Sequence, residues 1–245
     1  GTLTYVLTSG SGFALVTPTG LITAVQAGTI TLTVNSAANS RYNAATVSQL
    51  ITINKGTPTL TITSSNTIPV FGSLTATVNT TATYGRGGVI SFAIIAGSGS
   101  ATVNSTTGFI TAIQSGTITL TATSAGDVDY NMASASQLIT IGKGTPTLAI
   151  TSANVMMVDG SLTVSLSTTA VGVKFSYSIG NGDTGSAAVN SLGVVRAIQA
   201  GTVILRVTSI ANTNYYASAM VTQTITISKT TPTLTITSAN TLNVG

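Results

Sequence analysis

A stretch that occurs three times constrains this chain more than any other feature. Gly20 to Ser36 reads GLITAVQAGTITLTVNS, Gly108 to Ser124 reads GFITAIQSGTITLTATS, and Gly193 to Ser209 reads GVVRAIQAGTVILRVTS. One structural unit is therefore built more than once. In the middle copy Ile118, Leu120 and Ala122 alternate with Thr117, Thr119 and Thr121. Period two with one apolar and one hydroxyl face is the signature of a half-buried strand. Phe109 to Ile113 reads as a second short strand, and Gln114-Ser115-Gly116 turns between the two. Gly116 supplies the backbone freedom there, as Gly28 and Gly201 do in the other copies.

A second recurring stretch sets the boundaries. It reads NKGTPTLTITSSN at 54–66, GKGTPTLAITSAN at 142–154 and SKTTPTLTITSAN at 228–240. Pro58 to Pro146 spans 88 positions and Pro146 to Pro232 spans 86. The organisation is a partial repeat at 1–55, complete repeats at 56–143 and 144–229, and the first strand of a further repeat at 230–245. No segment shows a helical period. The repeat at 56–143 reads as seven strands, at Thr57–Ser64, Ser73–Asn79, Val89–Ile95, Ala101–Asn104, Phe109–Ile113, Thr117–Ser124 and Ala135–Ile141. Seven short strands separated by Gly, Ser and Asn turns predict a two-sheet sandwich. The fold class is therefore all-β, with tandem immunoglobulin-like sandwiches arranged end to end. Tyr5, Phe92 and Tyr177 share one position in the third strand, where alternation turns the ring inward as core and not as a ligand platform.

Composition excludes several functions. Positive mean hydropathy suggests a membrane protein. However, no apolar run approaches the roughly 18 residues of a spanning helix. Barrel strands need aromatic girdles, and aromatics are only 5%. Eight scattered cations give a net charge of +4 without a basic cluster, so no nucleic-acid partner is expected. Charged residues are 5%, against roughly 25% in ordinary soluble domains. Thr supplies about a fifth of the chain, which suits strands with hydroxyl-bearing outer faces. There is no His, Cys or Glu, so most nucleophile–base pairs are impossible and no enzyme activity or cofactor is expected.

The remaining candidates are few. Asp127-Val128-Asp129 is the best metal candidate, since calcium takes six to eight oxygens. The equivalent loops carry Asn39-Ser40-Arg41 and Asn212-Thr213-Asn214, which favours a solvated turn. Asp183 in a Gly-rich turn is isolated and reads as a turn residue. Tyr42, Tyr130 and Tyr215 recur before the last strand and read as rings under that loop with a hydroxyl reaching backbone. Lys55, Lys143 and Lys229 read as solvated linker charges or edge guards. Lys174 is the one Lys inside a strand, with no acid near it in sequence for an isopeptide bond. The Thr-x-Thr rows resemble ice-binding arrays, but sandwich strands twist and strand propensity explains the Thr. Leu50 and Leu138 fall on the opposite parity from Ile51 with Ile53 and Ile139 with Ile141. They are expected outside, at a repeat–repeat or chain–chain contact.

The short ATV strand at 101–103, TTGFITAIQSGTITLTATSAG at 106–126 and YNMASASQLITI at 130–141 together resemble the bacterial Ig-like domain, group 2 type. The resemblance runs through all copies. It implies a seven-stranded sandwich, an extracellular or cell-surface location and a scaffold role without a catalytic site. The expected function is a segment of a bacterial surface stalk or filament. The alternative is an adhesin whose repeats bind a carbohydrate or protein surface. Expected partners are further repeats of the same chain, copies of itself, or a surface glycan or protein.

The ends carry one more expectation. Leu3-Thr4-Tyr5 aligns with Ile90-Ser91-Phe92, so residues 1–55 lack the first two strands. Thr231 to Ala239 is a first strand without partners of its own. Two accounts fit. Flanking residues of a longer array supply the rest, or the last strand of one copy inserts into the open first repeat of another. The first is preferred from sequence, because insertion leaves the second strand missing.

Overall fold

The computed structural model describes residues 1–83, 86–180, 184–238 and 240–242. Among them every regular element is a strand. The chain forms two compact units, Gly1–Gly142 and Lys143–Gly245. The first unit holds the first two repeats, and the second holds the third.

In the first repeat the strands are β1 (Leu3–Ser9), β2 (Phe13–Val16), β3 (Ile22–Gln26), β4 (Gly28–Ser36) and β5 (Ala45–Ile53). The second contains β6 (Leu60–Ile62), β7 (Thr67–Pro69), β8 (Ser73–Thr75), β9 (Val78–Thr80), β10 (Ile90–Ala96), β11 (Ser100–Val103), β12 (Phe109–Gln114), β13 (Gly116–Ser124) and β14 (Ala133–Gly142). Its sheets run β10-β13-β14-β7 and β11-β12-β8, with β6 paired to β9. The third repeats this with β15 (Leu148–Ile150), β16 (Val155–Met157), β17 (Ser161–Thr163), β18 (Leu166–Thr168), β19 (Phe175–Gly180), β20 (Ser186–Val189), β21 (Val194–Gln199), β22 (Gly201–Ser209) and β23 (Val221–Ser228).

Lettered in chain order, with β8 and β9 as the two halves of strand B, the layers are A-B-E-D and A′-G-F-C. That is the strand order of an immunoglobulin sandwich. Both complete repeats close the last strand with a parallel partner, β7 on β14 and β16 on β23. The fold is therefore all-β, built of tandem immunoglobulin-like sandwiches.

Alternation explains which side chains fill each sandwich. Ile118, Leu120 and Ala122 of β13 are fully buried, as are Ile110 of β12 and Ile139 of β14. Ile62, Leu74, Phe92 and Ile94 pack against this cluster. Fully burying each large aliphatic chain contributes about 1.5–3 kcal/mol. The third repeat buries Val203, Leu205, Val207, Val195 and Ile225 in the same places. Two glycines are fixed by geometry. Gly116 has φ 135°, and a Cβ there would lie 2.4 Å from the Gly99 nitrogen. Gly108 has φ 69° and lies under the Phe92 ring, with a Cβ 3.1 Å from Phe92 Cε2. Gly20 meets Tyr5, and Gly193 meets Tyr177, in the same way. The aromatic of the third strand is thus a lid over a glycine, and burial raises the Tyr177 phenol above its ordinary value.

The strand map differs from the sequence reading in two places. The stretch 73–79 is broken into β8 and β9, which pair with different strands, β12 and β6. Strand β7 is additional. Its only apolar inward residue is Ile68, followed by Pro69, so it has no local period to read.

The first repeat consists of a three-stranded sheet, β1-β4-β5, and a hairpin, β2-β3. It has no counterpart of β6 to β9 among the described residues. Its inner face is correspondingly less covered. Ile51 and Ile53 are half-buried where Ile139 and Ile141 are buried, and Ala24 is exposed where Ala112 is buried. Residues 230–238, part of the stretch 230–245 read above as the first strand of a further repeat, are exposed throughout and form no ladder.

Candidate functional site: the linker clasp

Chemistry-bearing side chains of the first unit gather where the linker after β5 meets the loop between β13 and β14. The loop is shaped by one residue. Asp127 Oδ1 accepts from the amides of Asp129 and Tyr130, both at 2.8 Å. Asn39 does the same for Arg41 and Tyr42, and Asn212 for Asn214 and Tyr215. A short side chain bonded to backbone two and three residues on is an Asx turn, for which Asp and Asn are interchangeable. This explains why the three loops differ in charge but share a shape.

The turn presents backbone groups to the linker. Gly56 N donates to Asp129 O at 2.8 Å, and Asn131 N donates to Gly56 O at 2.8 Å. Lys55 Nζ donates to Asp127 O at 2.7 Å. The same three bonds recur in the second unit. Gly144 N donates to Asn214 O at 2.9 Å, Tyr216 N to Gly144 O at 3.0 Å, and Lys143 Nζ to Asn212 O at 2.8 Å. Lys143 also lies 5.8 Å from the centre of the Tyr216 ring. Lys55 and Lys143 are therefore clasps on the following repeat, a role that the reading of solvated charges missed. Their recurrence just before Gly-Thr-Pro was the available signal.

Tyr130 closes the clasp. Its ring lies against Gly56, and its hydroxyl accepts from Thr83 N at 3.2 Å and bonds Thr83 Oγ1 at 2.9 Å. The bond with the Thr83 hydroxyl, and then that with its amide, lower the Tyr130 phenol below its ordinary value. Tyr215 is buried at the equivalent place. Tyr42, the third residue of this series, is exposed.

The second repeat adds charge to this frame. Asp127 Oδ2 accepts from Gly87 N at 2.7 Å. That bond, more than those from Asp129 and Tyr130, holds its carboxyl below the usual value despite some desolvation. Asp129 Oδ2 pairs with Arg86. Asp129 Oδ1 accepts from Ala27 N of the first repeat at 2.8 Å, and Arg86 also donates to Val25 O at 3.1 Å. The Asp129 side chain is 9% exposed and that of Arg86 38%. The two acids proposed as a weak calcium pair thus direct all four oxygens to backbone amides and Arg86. Among the described residues no three acidic, His or Cys groups gather. Beside them lies a cleft of about 610 Å³, lined by Leu15, Val25, Ile53, Thr83, Arg86 and Tyr130 among others.

The remaining sequence candidates lie apart from the clasp. Leu50 and Leu138 are 67% and 60% exposed on the outer sheet face, opposite Thr31 and Thr119. Lys174 is exposed. Asp183 falls outside the described residues.

No family model matches this chain, and no curated protein matches it. Solved structures do. The fibronectin(III)-like modules of Clostridium thermocellum CbhA are 12% identical with a TM-score of 0.27, over 69% of this chain and 94% of theirs. The three N-terminal domains of the bacteriophage RB49 highly immunogenic outer capsid protein are 16% identical with a TM-score of 0.29, over 94% and 89%. A Bacteroides ovatus protein of a mixed-linkage glucan utilization locus, solved with a mixed-linkage heptasaccharide, is 12% identical with a TM-score of 0.19, over 93% and 60%. At these scores the strand order of this chain carries the fold assignment, and the likenesses do not.

Proposed function

We propose that this chain is a non-enzymatic structural protein of the cell exterior, a segment of a bacterial surface stalk or filament. One observation carries the proposal: the linker clasp is built twice from the same three bonds. A module that receives the linker before it through backbone groups is suited to serial attachment. Two of the three bonds in each clasp join backbone to backbone and do not depend on which side chains surround them, and a lysine supplies the third. The resemblance to bacterial Ig-like domains points the same way. Scarcity of charge fits a protein whose surfaces meet other protein, since charged residues are depleted at the core of interfaces. Imaging the native source tests the reading. Polymers containing this chain are expected, and single tethered molecules would refute it.

The cleft beside Arg86 favours one second reading, an adhesin that takes a carbohydrate or a protein surface. A few convergent polar groups over an apolar wall suit a small polar ligand. Against it, the Tyr130 ring lies on Gly56 and its hydroxyl is bonded to Thr83, which leaves less of it to stack a sugar. A glycan array probed with the 245-residue chain decides. Binding lost in Arg86→Ala would favour the adhesin.

A further inference from the structure

The third repeat carries charge on a sheet face that the second builds from Thr, Ser and Phe. On the outer face of β21, Arg196 stands where β12 has Thr111. The ladders set Arg196 opposite Ser161 of β17 on one side and Ala188 of β20 on the other. Two side chains beside it are smaller than their counterparts, Ala188 for Thr102 and Val194 for Phe109. A long side chain among short ones leaves a groove along its stem. The result is a cleft of about 500 Å³, which Asp159 and Asn190 line together with these residues.

The backbone sets the acid beside the base. Asp159 has φ 61° in the turn between β16 and β17, as Phe71 has between β7 and β8. The turn therefore does not require an acid there. It is tied to β21, since Ala197 N donates to Gly160 O at 3.0 Å. Asp159 and Arg196 are thus each one residue from the same bond. They form no ion pair with one another, and neither side chain bonds another described residue. Both are exposed. Asn190 Oδ1 accepts from the amides of Leu192 at 3.0 Å and Val194 at 2.9 Å, which fixes its side chain and leaves Nδ2 to donate.

The geometry points to a carbohydrate site in this cleft, one that takes a single neutral sugar unit. Arg196 and Asn190 donate, Asp159 accepts, and Ser161 does either. A sugar hydroxyl also does either, so neighbouring ring hydroxyls accept from Arg196 and donate to Asp159. Val194, Ala188 and the methylene stem of Arg196 offer apolar surface to the C–H face of the ring. A small anion would meet the Asp159 carboxylate, and a cation would meet the Arg196 guanidinium. A neutral ligand meets neither repulsion. A zwitterion satisfies both charges, but ion pairs this exposed contribute little, and it leaves Ser161 and Asn190 unused. The site shares no residue with either clasp or with the cleft beside Arg86. It does not rest on the filament reading.

The test follows amide chemical shifts of the isotope-labelled 245-residue chain. Glucose, galactose, mannose or N-acetylglucosamine is added, with glycine as the zwitterion. For at least one sugar, saturable shifts are expected at Ser161, Ala188 and Arg196, with a Kd on the order of 1–10 mM. Arg196→Thr gives the third repeat the residue that the second has at this place. Asp159→Asn keeps a residue type that tolerates φ 61°. Each should weaken binding about tenfold, through the loss of a hydrogen bond to a charged group. The amide shifts of β22 check that both variants stay folded. Arg86→Ala should leave binding unchanged. Saturation by no sugar, shifts that survive both variants, or saturation by glycine alone overturns the inference. Binding lost in Arg86→Ala and kept in Arg196→Thr moves it to the first unit and overturns it too. Imaging of the source bears on the filament reading alone, so the two can fail separately.

Discussion

Replacing Asp129 with Ala separates the side-chain part of the first clasp from its backbone part. The backbone bonds survive, because Gly56 N binds the Asp129 carbonyl and Asp127 Oδ1 binds the Asp129 amide. Two interactions go: the bond from Ala27 N at 2.8 Å and the pair with Arg86. A hydrogen bond to a charged group contributes about 1.5–3 kcal/mol. The pair adds about 0–1 kcal/mol, the range for partly exposed ion pairs, since the Arg86 side chain is 38% exposed. The total is about 2–4 kcal/mol, and it acts on the attachment of the β3–β4 turn to the second repeat. The core of Ile118, Leu120 and Ile139 is untouched. Hydrogen exchange at the Ala27 amide is the assay. A loss of about 2 kcal/mol speeds exchange by roughly 30-fold, while β13 amides should keep their protection. Arg86→Ala completes a double-mutant cycle, in which residues in contact couple by about 0.5–3 kcal/mol. An unchanged Ala27 rate in Asp129→Ala, or a cycle additive within about 0.3 kcal/mol, would refute the reasoning.

Three further outcomes are expected. The folded Asp127 carboxyl titrates below its unfolded value of 3.8, so its stabilising effect is complete above that value and is lost as pH falls through the lowered one. Asp127→Asn should keep the turn, as Asn39 and Asn212 do, and flatten the acid limb of stability in a pH series of urea melts; an unchanged limb would count against it. Gly108→Ala forces a side chain into φ 69° under Phe92 and should cost about 1–3 kcal/mol by denaturant melt; a neutral result would show that the ring can move aside. Leu50→Lys with Leu138→Lys should raise solubility or loosen assembly in sedimentation, and no change in either would remove those leucines from any contact.

Much of the fold was legible because burial here follows strict alternation. Ile90, Phe92 and Ile94 turn inward, and Ser91, Ala93 and Ile95 turn outward, as parity requires. What parity does not carry is pairing between distant segments. Strand β7 exists because Thr140 and Ile141, over seventy positions away, offer it a parallel edge. Residues 231–238 have the same sequence as 57–64 and yet form no ladder, since a strand is a property of two segments and not of one. The clasp was half legible. The Asx turn could be read from Asn39, Asp127 and Asn212 at one place. Arg86 could not, because it lies in a short insertion that the third repeat lacks and that the other copies give no reason to expect.

The parallel pairing of β7 with β14 and of β16 with β23 has a mechanical consequence. A tether under tension is pulled at the first and last strands of each repeat. Where those strands run parallel, the pull draws them apart along their length. All three rungs, Thr67–Thr140, Ile68–Ile141 and Pro69–Gly142, are then sheared together and must fail together. An antiparallel closure would open like a zipper, one rung at a time. A patch of three residue pairs, modest at rest, thus becomes the fastening that sets how fast a repeat gives way under load.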